Sequence, residues 1–423
     1  FFRGFGLLLE ELTAGKDLIS LRETPQFDDN GAMFDVSQDN AVLRVESVKS
    51  ILRRMAVMGL NVLMMYCEDS YDVPEEPYFG YMRARYTEEE LRECDDYAYL
   101  FGIEMIPCIQ TLSHLIDVLK WPAFNDIKED YETLFVGGEK TYEFIEHLIQ
   151  AAVKPFRTKR IHIGMDEAWH LGTGRYLAEH GLVPGEQIMK EHLARVMEIV
   201  RKLGLEPMMW SDMYFRLASK TRDYYDLEGQ VPKEVIETAP KDMDLVYWDY
   251  YHEDEGFYEE YIKRHKEFPG RVVFAGGLWS WSTMVIHNGH ALRTSIPALK
   301  QCRKQGVDEV YATIWGDDGA ECAQMSSLLG LQLYAEYTFS SDVSMELLKD
   351  RFAACTGEDM DAFLALSRMD VLEEAPAGDP LPPDESYTTR ELLYNDVLLD
   401  LYGKNYENRN LREHYQELSG KLK

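Results

Sequence analysis

The chain has 423 residues, 45% of them hydrophobic, and its 75 acidic side chains against 44 basic ones give a formal net charge of −31. Such a length holds one barrel of about 250 residues with an appendage, or two to three ordinary domains. The acidic balance disfavours nucleic acid and anionic membranes as partners, because phosphate contact needs a basic face; no apolar run reaches the roughly 18 residues of a membrane span.

From the N-terminus, strand-like apolar runs fall at residues 4–9, 61–67, 104–109, 160–165, 207–211, 244–248, 271–275 and 309–315. Helical patterns separate them, at 45–58, 87–101, 140–152, 185–203, 256–267 and 290–305, with 320–337 closing the series; the second opens on a capping box, Thr87 to Glu90. Eight strands alternating with helices predict a parallel sheet closed as a (β/α)8 barrel over residues 1–340. A doubly wound open sheet would want a glycine-rich phosphate loop, and neither GxGxxG nor GxxxxGK[ST] occurs. Beyond residue 340 the strands stop. Helical patterns at 343–355, 359–372, 388–402 and 408–422, with a proline-rich break at 375–383, predict a C-terminal helical region over 341–423. The abrupt limits, Phe1 without a Met and Lys423, predict truncation at both ends. Six cysteines without CxxC spacing fit a reducing, cytoplasmic compartment.

In such a barrel, chemistry gathers where strands end. Those positions carry Glu10, Glu68-Asp69, Gln110 with His114, Asp166-Glu167, Trp210 and Asp212, Tyr247-Trp248-Asp249-Tyr250, Trp279 with Trp281, and Trp315 with Asp317. Five of the seven tryptophans sit at the ends of strands 5 to 8, and Trp169 follows strand 4. Aromatic planes beside carboxylates suit a sugar, whose C–H faces stack on rings while its hydroxyls bond to acids. The adjacent acids Asp166 and Glu167 at the mouth of a buried strand are the natural pair for acid/base work. His162, Asp166, His170 and His114 could instead be drafted as metal ligands, but no HExxH-type spacing exists. Serine-based acyl transfer lacks its G-x-S-x-G elbow. No metal or other cofactor is expected. A barrel that binds amino-sugar glycans without cleaving them is the alternative from a different class.

The strand-4 segment His162-Ile163-Gly164-Met165-Asp166-Glu167 resembles the His-x-Gly-Gly-Asp-Glu of glycoside hydrolase family 20, the β-N-acetylhexosaminidases, with Met for the second Gly. The likeness recurs at Arg3-Gly4, at Asn61-Val62-Leu63 through Asp69, at Tyr86-Thr87-Glu88-Glu89-Glu90, from Ile103 to Pro107 with His114, at Tyr247-Trp248-Asp249 and at Trp315-Gly316-Asp317. It implies a divergent, bacterial-type branch and an exo-acting, retaining enzyme on terminal N-acetylhexosamine, a small glycan substrate. Family 20 is a substrate-assisted exception to the two-carboxylate scheme. By the resemblance Glu167 is the general acid, and Asp166 holds the substrate's 2-acetamido group. Tyr247 bonds the acetamido oxygen, with Tyr250 and Tyr251 as neighbouring alternatives. Arg3, Asp249 and Asp317 bind sugar hydroxyls or the substrate, Trp210, Trp279 and Trp315 line the ring, and Asp69 and His114 orient Glu167. Gluco or galacto preference, linkage and oligomeric state stay open.

Overall fold

The computed structural model describes residues 1–13, 15, 20–281, 283–317, 319–372 and 387–422. Its eight parallel strands close into a barrel in chain order: β1 (Asp29–Asp35), β2 (Val62–Cys67), β3 (Glu104–Ile109), β4 (Arg160–His162), β5 (Glu206–Trp210), β6 (Asp244–Asp249), β7 (Val272–Gly277) and β8 (Glu309–Ile314). Ala32 of β1 aligns with Leu63 of β2 on one side and Ala312 of β8 on the other, which closes the ring. Strands such as β2, VLMMYC, are buried along their whole length. One set of side chains fills the barrel and the other packs under the helices, so alternation of polarity has no place there.

The larger helices are α1 (Phe2–Thr13), α2 (Val45–Met58), α3 (Glu88–Tyr99), α4 (Glu139–Val153), α5 (Gly185–Lys202), α6 (Asp212–Ala218), α7 (Glu255–His265), α8 (Asn288–Gln305), α9 (Leu328–Phe339) and α10 (Met345–Thr356). The capping box of α3 forms as expected: the Thr87 hydroxyl accepts from the Glu90 amide while the Glu90 carboxylate accepts from the Thr87 amide. None of the described helices is long and apolar enough to cross a membrane.

The expected (β/α)8 barrel is present, but its first strand is not where the sequence suggested. Residues 4–9 lie inside α1, which packs on α2 and α10 outside the barrel. The run GFGLLL winds round this helix, so that Gly6 is buried while Phe5, Leu8 and Leu9 are exposed. The true β1 was hidden by its polar members: Asn30 is buried because its amide donates to the Tyr334 carbonyl of α9 at 2.6 Å.

Beyond residue 340, α10 rests on α1, α2 and α9, and a helix at Met360–Leu366 rests on α8 and α10. The helix expected at 388–402 stops early, spanning Thr388–Leu393. Asp396 then folds its carboxylate onto the amides of Leu398 and Leu399, both at 2.8 Å, a local bond that competes with helix. A last helix spans Leu411–Lys421. The proline-rich break falls outside the described residues.

Candidate active site

β4 was expected to run to Met165, yet it ends at His162, where the backbone leaves extended geometry. Gly164 (φ +71°), Met165 (φ +74°) and Glu167 (φ +48°) are all left-handed. In a strand, neighbouring side chains point to opposite faces. The left-handed residues break that rule, so the adjacent Asp166 and Glu167 line one cavity. For a non-glycine residue this backbone costs about 1–2 kcal/mol. Hydrogen bonds offset the cost: the Met165 amide donates to Gln110 Oε1 at 3.2 Å, the Glu167 amide to Asp212 Oδ2 at 3.0 Å, and the Thr111 hydroxyl to the Ile163 carbonyl at 2.7 Å. A Cβ on Gly164 would stand 2.1 Å from Gln110 Oε1, so that position admits glycine alone.

The cavity opens at the C-terminal ends of the strands. Its walls are Trp210, Trp248, Tyr250, Tyr251, Trp281 and Trp315, and its polar groups come from Gln38, Tyr66, His114, Asp166, Glu167 and Asp317. Trp210 and Trp315 lie with ring centres 6.0 Å apart, and Tyr66 meets Trp315 edge-on at 4.8 Å. The buried polar atoms of the lining that have no hydrogen-bond partner among the described residues include Gln38 Oε1 and Trp210 Nε1.

The two acids are held differently. Burial alone would push both carboxyls up. At Asp166 that push is overcome: His114 Nε2 lies 3.3 Å from Oδ2 and the Gln110 amide donates to Oδ1 at 2.7 Å, leaving the carboxyl below its usual value. At Glu167 burial and the Asp166 charge win over His114 and Arg216, and the carboxyl rises. His114, although burial works against its charge, is pushed up to about 10 by Asp166, Glu68 and Glu167. Behind Asp166 runs a buried relay: the Gln110 amide also donates to the Tyr66 hydroxyl at 2.9 Å, and Tyr66 donates to Glu68 at 3.1 Å. Burial raises Glu68 to about 8.

Of the residues singled out from sequence, the cavity gathers Asp166, Glu167, His114, Trp210, Trp248, Tyr250, Tyr251, Trp281, Trp315 and Asp317. Others stand elsewhere. Arg3, on α1, donates to Glu336 at 2.6 Å and to the Met58 carbonyl at 3.1 Å. Met58 ends α2, just before the chain enters the N-terminal end of β2, so Arg3 is at the wrong end of the barrel to bind sugar. Glu10, also on α1, pairs with Arg351. Tyr247 points outward: its ring stacks on His265 of α7 at 4.6 Å and its hydroxyl donates to Asp249 at 2.7 Å. Trp248 and Tyr250 take the cavity face instead, a reversal set by strand parity. Asp249 caps the following turn by accepting from the Tyr251 and His252 amides. Trp279 sits behind Trp281, stacked at 4.7 Å, with its indole N–H on the Tyr250 carbonyl. Asp69 turns to Ser37 and Arg83, and the carboxylate whose charge reaches His114 is its neighbour Glu68.

Four contributors were not foreseen. Arg216, on α6, donates to Glu167 Oε1 at 3.0 Å and to Asp212 Oδ2 at 2.9 Å. The i, i+4 spacing of Asp212 and Arg216 was the available signal. Tyr66 joins the relay, Gln38 lines the wall, and Asp35 accepts from the Gly316 amide at 2.9 Å, tying the end of β1 to the loop that carries Asp317. His162, a metal-ligand candidate, instead accepts from the Gly164 amide at 3.1 Å and packs its ring on Trp210. Among the described residues no group of three or more His, Cys, Asp or Glu is arranged to hold a metal ion.

The model of the glycosyl hydrolase family 20 catalytic domain matches residues 27–262. Hexosaminidase D of Homo sapiens is 27% identical over 226 residues, which cover 49% of this chain and 42% of that protein. Hexosaminidase D of Bos taurus is 22% identical over 299 residues, 66% of this chain and 78% of the bovine one. A solved structure of a β-N-acetylhexosaminidase superposes with a TM-score of 0.65 at 16% identity, over 91% of this chain and 87% of the other.

Proposed function

The chain belongs to glycosyl hydrolase family 20, and on that premise we propose that it is an exo-acting, retaining β-N-acetylhexosaminidase that releases terminal β-linked GlcNAc or GalNAc, with the substrate's own acetamido group as nucleophile. The observation that carries this reading is the opposite bias of two neighbouring carboxyls, Asp166 held down and Glu167 pushed up, inside an aromatic cavity. A site for acid/base chemistry needs that divergence. A barrel that only bound amino sugars would need the aromatic wall but no such pair.

The sugar ring stacks in the cavity, and its hydroxyls and amide satisfy the open Gln38 Oε1 and Trp210 Nε1. Asp166, as carboxylate, accepts the acetamido N–H and aims the carbonyl oxygen at the anomeric carbon. Glu167, as acid, gives its proton to the glycosidic oxygen. The C1–O bond breaks as the acetamido oxygen bonds to C1, forming an oxazolinium cation stabilised by Asp166. Glu167, now carboxylate, takes a proton from water, whose oxygen attacks C1 as the C1–acetamido oxygen bond breaks, which reopens the ring to the neutral acetamide and restores the starting configuration. Tyr250 and Tyr251, which reach the cavity where Tyr247 does not, are the hydroxyls for the acetamido oxygen. Asp317 reaches the ring hydroxyls.

The test is a panel of aryl β-glycosides with and without the 2-acetamido group. Rapid cleavage is expected with it and almost none without. Equal rates on a plain β-glucoside would overturn the reading, since no nucleophile would then be accounted for.

A further inference from the structure

When Glu167 gives up its proton, a new anion forms in a buried site beside the Asp166 anion. Something must hold it. The groups facing Glu167 are Asp166 on its own segment, His114 after β3, Glu132 on the neighbouring loop, and Asp212 and Arg216 of α6. Only two of these are cationic, and His114 is nearer to Asp166 (3.3 Å) than to Glu167 (3.7 Å). Arg216 puts Nη2 at 3.0 Å from Glu167 Oε1. It cannot swing away easily: Nε is fixed on Asp212 Oδ2 at 2.9 Å, and the guanidinium lies over the Trp169 ring, 4.2 Å from its centre. Asp212 also accepts the Glu167 amide, so α6 grips both ends of this residue.

Resting on the hexosaminidase reading, we propose that Arg216 is a positioning residue for proton transfer: its guanidinium fork, anchored by Asp212 and Trp169, holds the carboxylate that Glu167 becomes, and thereby makes Glu167 acidic enough to expel poor leaving groups. A leaving group that needs no protonation is indifferent to this device. An alkoxide leaving group depends on it.

The experiment compares wild type, Arg216→Met and Arg216→Lys on two N-acetyl-β-glucosaminides, one with a 2,4-dinitrophenyl and one with an alkyl leaving group. For Arg216→Met, kcat/KM on the alkyl substrate should fall by roughly 100-fold, the scale of general-acid catalysis, and on the dinitrophenyl substrate by no more than about threefold. The alkaline limb of its pH profile should move up, and millimolar guanidinium should restore part of the alkyl activity. Arg216→Lys keeps the charge but loses the fork, so its alkaline limb should stay near that of wild type while its rate drops by about tenfold. If Arg216→Met does not fold, the leaving-group dependence of Arg216→Lys still decides: a loss confined to the alkyl substrate upholds the proposal, and equal losses on both substrates overturn it. Equal losses on both substrates with an unmoved limb, or no loss at all, would overturn the proposal. A wild type that cleaves neither substrate would bring down the hexosaminidase reading itself, and this inference with it.

Discussion

The two ends of β4 bury charge in opposite ways. At its N-terminal end, Arg160 bonds Glu309 and lies 3.3 Å from both Asp29 and Glu104, while Tyr311 takes another of its N–H groups at 3.1 Å. Asp29, Glu104 and Glu309 all face Arg160. At its C-terminal end, Asp166, Glu167, Glu68 and Asp212 share His114 and Arg216, and lining atoms such as Gln38 Oε1 remain open. The floor is a closed network, whereas the rim leaves capacity for a ligand. A surplus of carboxyl groups over cations and unspent hydrogen bonds, rather than burial alone, mark the working end of the barrel.

Substitutions at the two ends should separate activity from stability. Glu167→Gln should cut kcat on an alkyl N-acetyl-β-glucosaminide by about 1,000-fold or more, measured beside an unchanged melting temperature. Asp166→Asn should cost roughly 100-fold in kcat with little change in KM, because its bond to the acetamido group strengthens only as the oxazolinium forms. At the floor, Arg160→Met should destabilise the fold by about 3 kcal/mol, since it takes the cation from the buried Glu309, yet leave kcat per folded molecule intact. Denaturant titration with active-site counting would check this, and a collapse of kcat at full folding would erase the contrast. Tyr247→Phe should cost about 1 kcal/mol of stability and nothing in KM, while Tyr250→Phe should raise KM.

The same contrast has a pH dependence. Burial holds Glu68 at about 8 and Asp212 at about 7, above their usual values of 4.5 and 3.8. The folded state therefore keeps protons that the unfolded chain releases. The corresponding stability is complete below about pH 4 and is lost as the pH climbs through 7 to 8. Thermal melts should show this decline, and Glu68→Gln should flatten part of it.

Much of this was legible in the sequence, for identifiable reasons. Seven strands announced themselves as apolar runs because both their faces are buried. β1 did not, since Asp29, Asn30 and Asp35 satisfy their polarity through strand, helix and loop partners, respectively, that no local pattern reveals. The error spread to Arg3, whose place in the site depended on a strand at residues 4–9. Asp166 and Glu167 were found because two acids on a core strand violate the expectation for that strand. Tyr247 was misplaced by a single step of parity, which sequence spacing leaves undetermined until the turn beyond the strand is known. Arg216 was missed because it reaches Glu167 only through the way α6 is set at the end of β5.

The left-handed turn at Met165 has a consequence for motion. Met165 is completely buried, so opening the turn would expose its thioether as well as break the bonds that hold the Met165 and Glu167 amides. Catalytic loops usually belong to the least protected parts of a protein. Here the amides of Met165 and Glu167 should exchange with solvent deuterium as slowly as those of β2 or β3, leaving the acid pair on a segment that breathes with the core rather than with the rim.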